Sequence, residues 1–230
     1  QFDETTNVTS GTVAVAVNGV IQAGKTATIS AGTWSIPNVT VFQDDIVTVF
    51  VDGAADSAEA AAITKYDGTG DITGLALMQR HITIGSVDNP TVTNTDISQY
   101  DNSVSADEDI FYDVNASNDL TACASGIPGC HDVEVVVRSG ATYRPDSASS
   151  GNVTTTDFQI DGTFLPDGNT VNIGGSWRNA GTFTKAASTV VFTATSTTVS
   201  INSTGASSAG FNNLTVGQTS GAATYVLQTA

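Results

Sequence analysis

The sequence predicts an all-β fold: an N-terminal β-sandwich-like part followed by a β-solenoid-like or second sandwich part. Three observations predict it. Apolar residues, many of them β-branched, alternate with polar ones in short runs. Turn signals built on Gly, Asn and Asp separate those runs at regular intervals. In the second half a Gly-Thr-Phe step at Gly162 returns nineteen positions later at Gly181, a spacing that fits one rung of a solenoid.

The elements follow in order. Thr12 to Val17 reads TVAVAV and ends at Asn18-Gly19, a strong two-residue hairpin signal, so the chain should return through Val20-Ile21 to Thr26–Ile29. Asn38–Phe42 (NVTVF) and Ile46–Val51 (IVTVFV) flank Gln43-Asp44-Asp45 and predict a second hairpin, closed by Asp52-Gly53. Asp56-Ser57-Ala58-Glu59 can cap a short helix into Ala60–Ala62, with Ile63-Thr64 returning to a strand. Tyr66–Asp71 is a turn, and Leu75–Ile84 is extended. These elements define a sandwich-like domain over residues 1–88.

Residues 89–230 form the second, repetitive domain. Ser86–Asp109 is polar and broken by Asn89-Pro90 and by Ser105–Asp109, and it reads as a connection between the halves. An apolar pattern resumes at Ile110-Phe111-Tyr112. Ala141-Thr142-Tyr143 then parallels Gly162-Thr163-Phe164, and Thr170–Ile173 (TVNI) maps onto Thr189–Phe192 (TVVF) at the same offset of nineteen. In a solenoid, Gly would make the corner, and Phe164, Trp177, Phe183 and Phe192 would fill the interior. The alternative is a meander whose likeness comes from Thr/Gly-rich composition.

Charge excludes some partners. Seven Lys and Arg face 23 Asp and Glu, for a formal net charge of −16. The basic residues are scattered, so nucleic acid is not an expected partner. No stretch approaches the roughly 18–20 apolar residues of a membrane helix, so no membrane insertion is expected. Low Lys with abundant Thr, Ser, Asn and Gly is the composition of an exported protein, which places the chain at the extracellular surface. The 40% hydrophobic content argues against disorder. Sequons at Asn7, Asn38, Asn115, Asn152, Asn202 and Asn213 are compatible with glycosylation.

Little catalytic chemistry is visible. His81 and His131 are far apart, and His81 falls in an expected strand, where a hydrogen-bonded structural role fits it. No nucleophile elbow, His-Glu-x-x-His motif or phosphate loop occurs. Cys123 and Cys130 bracket a short Gly/Pro loop, and in an oxidising compartment they are expected to form a disulfide. Reduced thiols or half a zinc site are the alternatives, the latter lacking ligands beyond His131. No cofactor is expected. Calcium is the one ion suggested, by Asp67–Asp71 and Ser105–Asp109, though both segments also read as solvated turns.

NVTTTDFQIDGTF from Asn152, GGSWRNAGTF from Gly174, STVVFTATS from Ser188 and FNNLTV from Phe211 carry a resemblance. So, more weakly, do VFVDG and TKYDGTGDITGL near the front. The last third of the chain resembles tandem repeats of large secreted bacterial cell-surface proteins, which carry Gly-Ser-Trp-x-Asn-x-Gly-Thr-Phe blocks. The resemblance implies a surface or extracellular role and brings no catalytic residues.

The run from Thr12 to Val17 is apolar on both faces, with Val13, Val15 and Val17 on one and Ala14 and Ala16 on the other. Both faces must therefore be covered, either within the chain or in a groove of a neighbouring copy. The second option makes Val13, Val15 and Val17 a subunit interface. It predicts a structural, non-enzymatic filament or surface-assembly subunit, a homopolymer joined head-to-tail by β-strand addition. Two alternatives stand beside it: an adhesin or stalk module that binds surface glycans, and a polysaccharide-active β-solenoid enzyme.

Overall fold

Asn18 and Gly19 both adopt positive φ, 46° and 77°. This is the geometry of a tight hairpin turn matched to strand twist. They join β1 (Ser10–Val17) to β2 (Val20–Ser30). The computed structural model describes residues 7–53, 59–105, 107–123, 132–146, 150–194, 198–203, 210–217 and 223–228. Antiparallel pairing continues from β1 to β3 (Ile46–Asp52) and from β3 to β4 (Ala61–Lys65). From β4 onward the same sheet turns parallel, beginning with β5 (His81–Ile84).

The first turn of a solenoid starts at β5 and continues through β6 (Thr91–Val92). A helical insertion follows: α1 (Asn94–Ile97), a 3₁₀ turn (Ser98–Tyr100) and α2 (Asn102–Ser105). The hairpin of β7 (Asp113–Val114) and β8 (Leu120–Thr121) completes the turn. The second turn is β9 (Glu134–Val137), β10 (Thr142–Tyr143) and β11 (Val153–Thr155). The third is β12 (Asp157–Ile160), β13 (Thr163–Phe164) and β14 (Thr170–Ile173). The fourth is β15 (Trp177–Asn179), β16 (Thr182–Phe183) and β17 (Thr189–Phe192). β18 (Thr198–Ser203) and β19 (Asn213–Val216) follow, and β20 (Thr224–Gln228) begins a sixth turn. The expected solenoid is thus present.

Parallel stacking of these turns builds three sheets: ten strands in the order β2-β1-β3-β4-β5-β9-β12-β15-β18-β20, four in the order β16-β13-β10-β6, and six in the order β19-β17-β14-β11-β8-β7. The nineteen-residue offset is the observed register, with Phe158 opposite Trp177, Thr163 opposite Thr182 and Val171 opposite Val190. Corner glycines make this tight stacking possible. A Cβ on Gly181 would collide with the carbonyl oxygen of Gly162, one turn below. Close approach of backbone, and not positive φ, excludes a side chain here.

Inward side chains form continuous columns. Ile82, Val135, Phe158, Trp177 and Ile201 follow one another in register in the long sheet. Leu120, Val153, Val171 and Val190 do the same in the six-stranded sheet. Tyr143, Phe164 and Phe183 stack at ring separations of 5.4 and 5.9 Å. Trp177 lies 5.5 Å from Phe158 and 5.0 Å from Phe183. Phe164, Trp177, Phe183 and Phe192 are all buried, as the repeat reading required.

The N-terminal strands close the first turn. Ala14, Ala16, Phe50, Ala61 and Ile63 join the solenoid core, and Phe50 stacks on Tyr100 of the helical insertion at 5.6 Å. The opposite face of the same strands forms a second core from Val13, Val15, Val17, Val47, Val49 and Val51. Trp34, Ile36, Val39, Val41, Ile72 and Leu75 pack over it from irregular segments. The sandwich-like character of this part comes from one sheet covered on both faces.

Several expected elements differ. Residues 34–42 pair in no hairpin with β3; NVTVF is irregular, with Asn38 at positive φ, and Val39 and Val41 pack on the outer face. Of Leu75–Ile84, only His81–Ile84 is strand. The expected helical cap falls largely on residues 54–58, outside the described residues, and Ala61–Ala62 already belong to β4. Residues 86–109 are not a polar connection: Val92, Ile97 and Tyr100 are buried in the main core, and the segment walls the first turn. No break in packing falls at the expected boundary between residues 88 and 89, because β5 pairs in register with β9.

Candidate assembly interface

The strand expected to reach a neighbour is held at home. β1 has β2 on one edge and β3 on the other. Val13, Val15 and Val17 are only 0%, 2% and 8% exposed, packed against the chain's own outer cluster. The two-faced pattern was read correctly as a demand for double cover. Its assignment to a subunit interface is corrected: the cover comes in cis, from residues 34–41 and 72–77.

The ten-stranded sheet leaves two edges, β2 and β20. They differ chemically. On β2 the register jumps: Ala14 faces Thr26 but Ala16 faces Ile21, so Gln22–Lys25 bulge opposite Val15. A bulge and an edge lysine are devices that discourage further strand pairing. Acidic groups crowd this end, and Asp52 and Asp107 line a shallow hollow with Ile21, Gln22 and Thr26. Both carboxylates help push the Tyr100 phenol up to about 12, burial being the larger cause.

β20 carries no charge and pairs with β18 over five residues without a register shift. No strand among the described residues pairs with its outer edge. Its register shows what is missing. Leu227 stands opposite Ile201 and so continues the buried column that runs from Ile82. Leu214 on β19 continues the column of Leu120, Val153, Val171 and Val190, and Val216 continues that of Ile173 and Phe192. These three positions are buried in the turns below, yet here they are 70%, 45% and 50% exposed. Tyr225 is partly buried beneath them, with its ring 6.1 Å from Phe192. Among the described residues, the apolar columns reach their last members at this turn.

Sequence reasoning missed a feature of charge that was present in the letters. Residues 1–167 hold all 23 acidic and five basic side chains, whereas residues 168–230 hold Arg178, Lys185 and no acid. The total of −16 conceals this segregation along the stack. The signal was available by counting charge per segment rather than per chain.

The remaining candidates are structural where they are described. His81 is buried and pairs with Glu134, Nε2 to Oε2 at 3.1 Å, while its Nδ1 lies 2.5 Å from the Gln79 carbonyl oxygen. Glu134 faces His81 on one side and Asp157 on the other. Burial pushes the Glu134 carboxyl above its ordinary value, with His81 pulling it down. Burial also raises Asp157, offset in part by the backbone N–H of Ser176. These groups join the first turn to the second and third.

Three of the carboxylates suggested for calcium, Asp67, Asp107 and Asp109, accept hydrogen bonds from the protein itself. Asp67 accepts from the backbone N–H and the hydroxyl of Thr69. Asp107 accepts from the Asp109 N–H, and Asp109 accepts from the Gly53 N–H. Among the described residues, no three His, Cys, Asp or Glu side chains converge as a metal site. A second shallow hollow beside the helical insertion contains Asp101, whose carboxylate accepts from Ser103 Oγ and from the Val104 and Val114 N–H groups. Cys123 packs partly buried against the main core; Cys130 and His131 lie outside the described residues, so their expected roles do too. Comparison with protein-family models, curated protein sequences and solved structures finds no match.

Proposed function

We propose that the chain is a structural element of an extracellular surface assembly, a β-solenoid rod extended by adding a β layer to its last turn. One observation carries this reading: Leu214, Val216 and Leu227 occupy register positions buried in the turns beneath them and are left open. Fully burying a Leu or Val side chain stabilises by about 1.5–3 kcal/mol, so covering three half-open ones contributes several kcal/mol. The uncharged β20 edge adds a row of unused backbone groups, each new hydrogen bond contributing about 0.5–1.5 kcal/mol net. Repeat proteins close such an end with a polar capping unit, and the N-terminal strands play that part at the other end of the stack.

An exported-type composition and the resemblance to secreted surface repeats agree with an extracellular setting. The polar groups discussed above cap turns or stitch strands together, which suits a scaffold.

Sedimentation velocity tests the reading. The 230-residue chain should gain mass with concentration, and Leu227→Lys should hold it at 23.4 kDa. Leu227 is largely exposed in the single chain, so the substitution leaves the fold intact. A wild-type chain that stays at monomer mass up to high concentration rejects the proposal.

A further inference from the structure

We infer that the hollow beside the helical insertion of the first turn is a binding site for a neutral saccharide. It lies on the flank of the first turn, so its occupancy does not depend on what covers the last one.

The insertion exceeds what a solenoid turn needs. In the third and fourth turns, residues 165–169 and 184–188 carry the chain from the second strand to the third. In the first turn the same step, from β6 to β8, takes residues 93–119. Insertions within repeat proteins map to loops on one face, which is often the binding face. Part of this one serves the core, through Ile97, Tyr100 and Tyr112. The remainder faces the turn of the β7–β8 hairpin across a hollow of about 490 Å³. That volume falls within the roughly 300–1,000 Å³ of small-ligand sites.

The two walls are pinned to each other. Asp101 of the insertion accepts from its own wall, the Ser103 hydroxyl at 2.8 Å and the Val104 N–H at 3.0 Å, and from the hairpin, the Val114 N–H at 3.0 Å. Asn118 of the hairpin turn accepts from the Thr95 hydroxyl at 3.4 Å and donates to Asp146 at 3.0 Å. A ligand therefore meets a concavity whose shape is already set, which lowers the entropy cost of binding.

The polar groups of the lining match sugar hydroxyls. Three hydroxyls commit their hydrogens inward: Thr95 to Asn118 Oδ1, Ser98 to the Thr95 carbonyl oxygen and Ser103 to Asp101 Oδ1. Each keeps oxygen lone pairs to accept with. Asn115 spends its Oδ1 on the N–H groups of Ser117 and Asp119, which leaves its amide NH₂ to donate. Fixed acceptors beside a donor suit a ligand whose every hydroxyl both gives and takes a hydrogen bond. Val104, 60% exposed, and Ala116 add apolar surface for the C–H face of a sugar ring.

Charge narrows the class. None of the described residues lining the hollow is basic, and Asp101 and Asp146 are acidic. In a chain of net charge −16, phosphate, sulfate and uronate groups find no partner there and are repelled. An uncharged hexose or N-acetylhexosamine unit meets neither obstacle.

A glycan array carrying neutral hexose and N-acetylhexosamine oligosaccharides beside sialylated and sulfated ones tests this with the fluorescently labelled chain. Neutral members should be retained and anionic ones should not. The retained saccharide, titrated into ¹⁵N-labelled protein, should shift the amides of Thr95, Ser98 and Asn115–Asn118. Ala116→Trp fills the hollow from an exposed position and should weaken binding at least tenfold, with the melting temperature unchanged. Thr40→Trp, an equally exposed change on the N-terminal part, should leave binding as it was. Retention of anionic members alone, or of no neutral member, would overturn the inference. So would neutral binding that Ala116→Trp leaves undiminished, because the site would then lie elsewhere. Sedimentation separates the two proposals: a chain that stays monomeric yet binds neutral saccharide at this hollow rejects the assembly and keeps the site.

Discussion

Replacing Trp177 by Ala should unfold more of this protein's stability margin than any single surface change. Trp177 is fully buried and touches three aromatic rings, with centroids at 5.5 Å to Phe158, 5.0 Å to Phe183 and 5.4 Å to Phe211. Truncating a buried Trp costs about 3–5 kcal/mol through lost transfer free energy and the cavity left behind. Aromatic pairs add about 0.5–1.5 kcal/mol each beyond their area. Collapse of the neighbouring turns is limited, because backbone hydrogen bonds to β12 and β18 fix the strand on both sides. The expected loss is thus near the top of the range, about 5 kcal/mol, against a total of about 5–15 kcal/mol for a folded domain. Trp177→Phe should behave differently. It keeps a ring on the Phe158 stack and deletes a buried indole N–H that has no hydrogen-bond partner among the described residues. Removing such a donor relieves a desolvation penalty of about 1–3 kcal/mol, so the net cost should be small. Guanidinium unfolding followed by far-UV circular dichroism measures both. A Trp177→Ala loss below about 2 kcal/mol, or a Trp177→Phe loss equal to it, would refute the column as the source of stability.

Two further outcomes follow from the same structure. The carboxyls of Asp88, Glu134 and Asp157 are all held above their ordinary values by burial. A group whose folded pKa is raised contributes stability that is present below its unfolded pKa and lost as pH rises through the folded one. The melting temperature should therefore rise as pH is lowered from 7 toward the carboxylate range, and Glu134→Gln should flatten that slope; a steady fall in melting temperature between pH 7 and 5 would contradict it. Thiol labelling of the unfolded, unreduced chain should find no free thiol if Cys123 and Cys130 are paired as expected, and two labels per chain would exclude the pairing.

Much of the solenoid was legible because each turn repeats the same demands. Gly162 and Gly181 make the same corner, Phe164 and Phe183 fill the same interior position, and TVNI lies on TVVF. Periodicity reports burial reliably, and pairing less so. NVTVF at Asn38–Phe42 alternates like a strand because one side lies on the outer core, yet it pairs with no neighbouring strand. The same limit explains β1. Its two apolar faces showed that two layers cover it, but the layers are non-adjacent stretches of one chain, which no local pattern reveals. Residues 86–109 misled in the opposite direction. Their polar majority hid Val92, Ile97 and Tyr100, whose wide spacing matches no single period although all three reach the core. The exposure at the last turn was invisible for a related reason: TYVLQ reads as an ordinary strand, and only the register with β18 shows Leu227 continuing a buried column while itself 70% exposed.

Amide hydrogen exchange at Thr224–Gln228, followed across a concentration series, tests the central claim most directly. In dilute solution the outward-facing amides of β20 should exchange about as fast as unstructured ones, because no strand among the described residues pairs with that edge. As concentration rises, protection should appear there, while the amides of Thr26–Ser30 on β2 stay as they were. Exchange at β20 that is equally fast at every concentration would contradict the account.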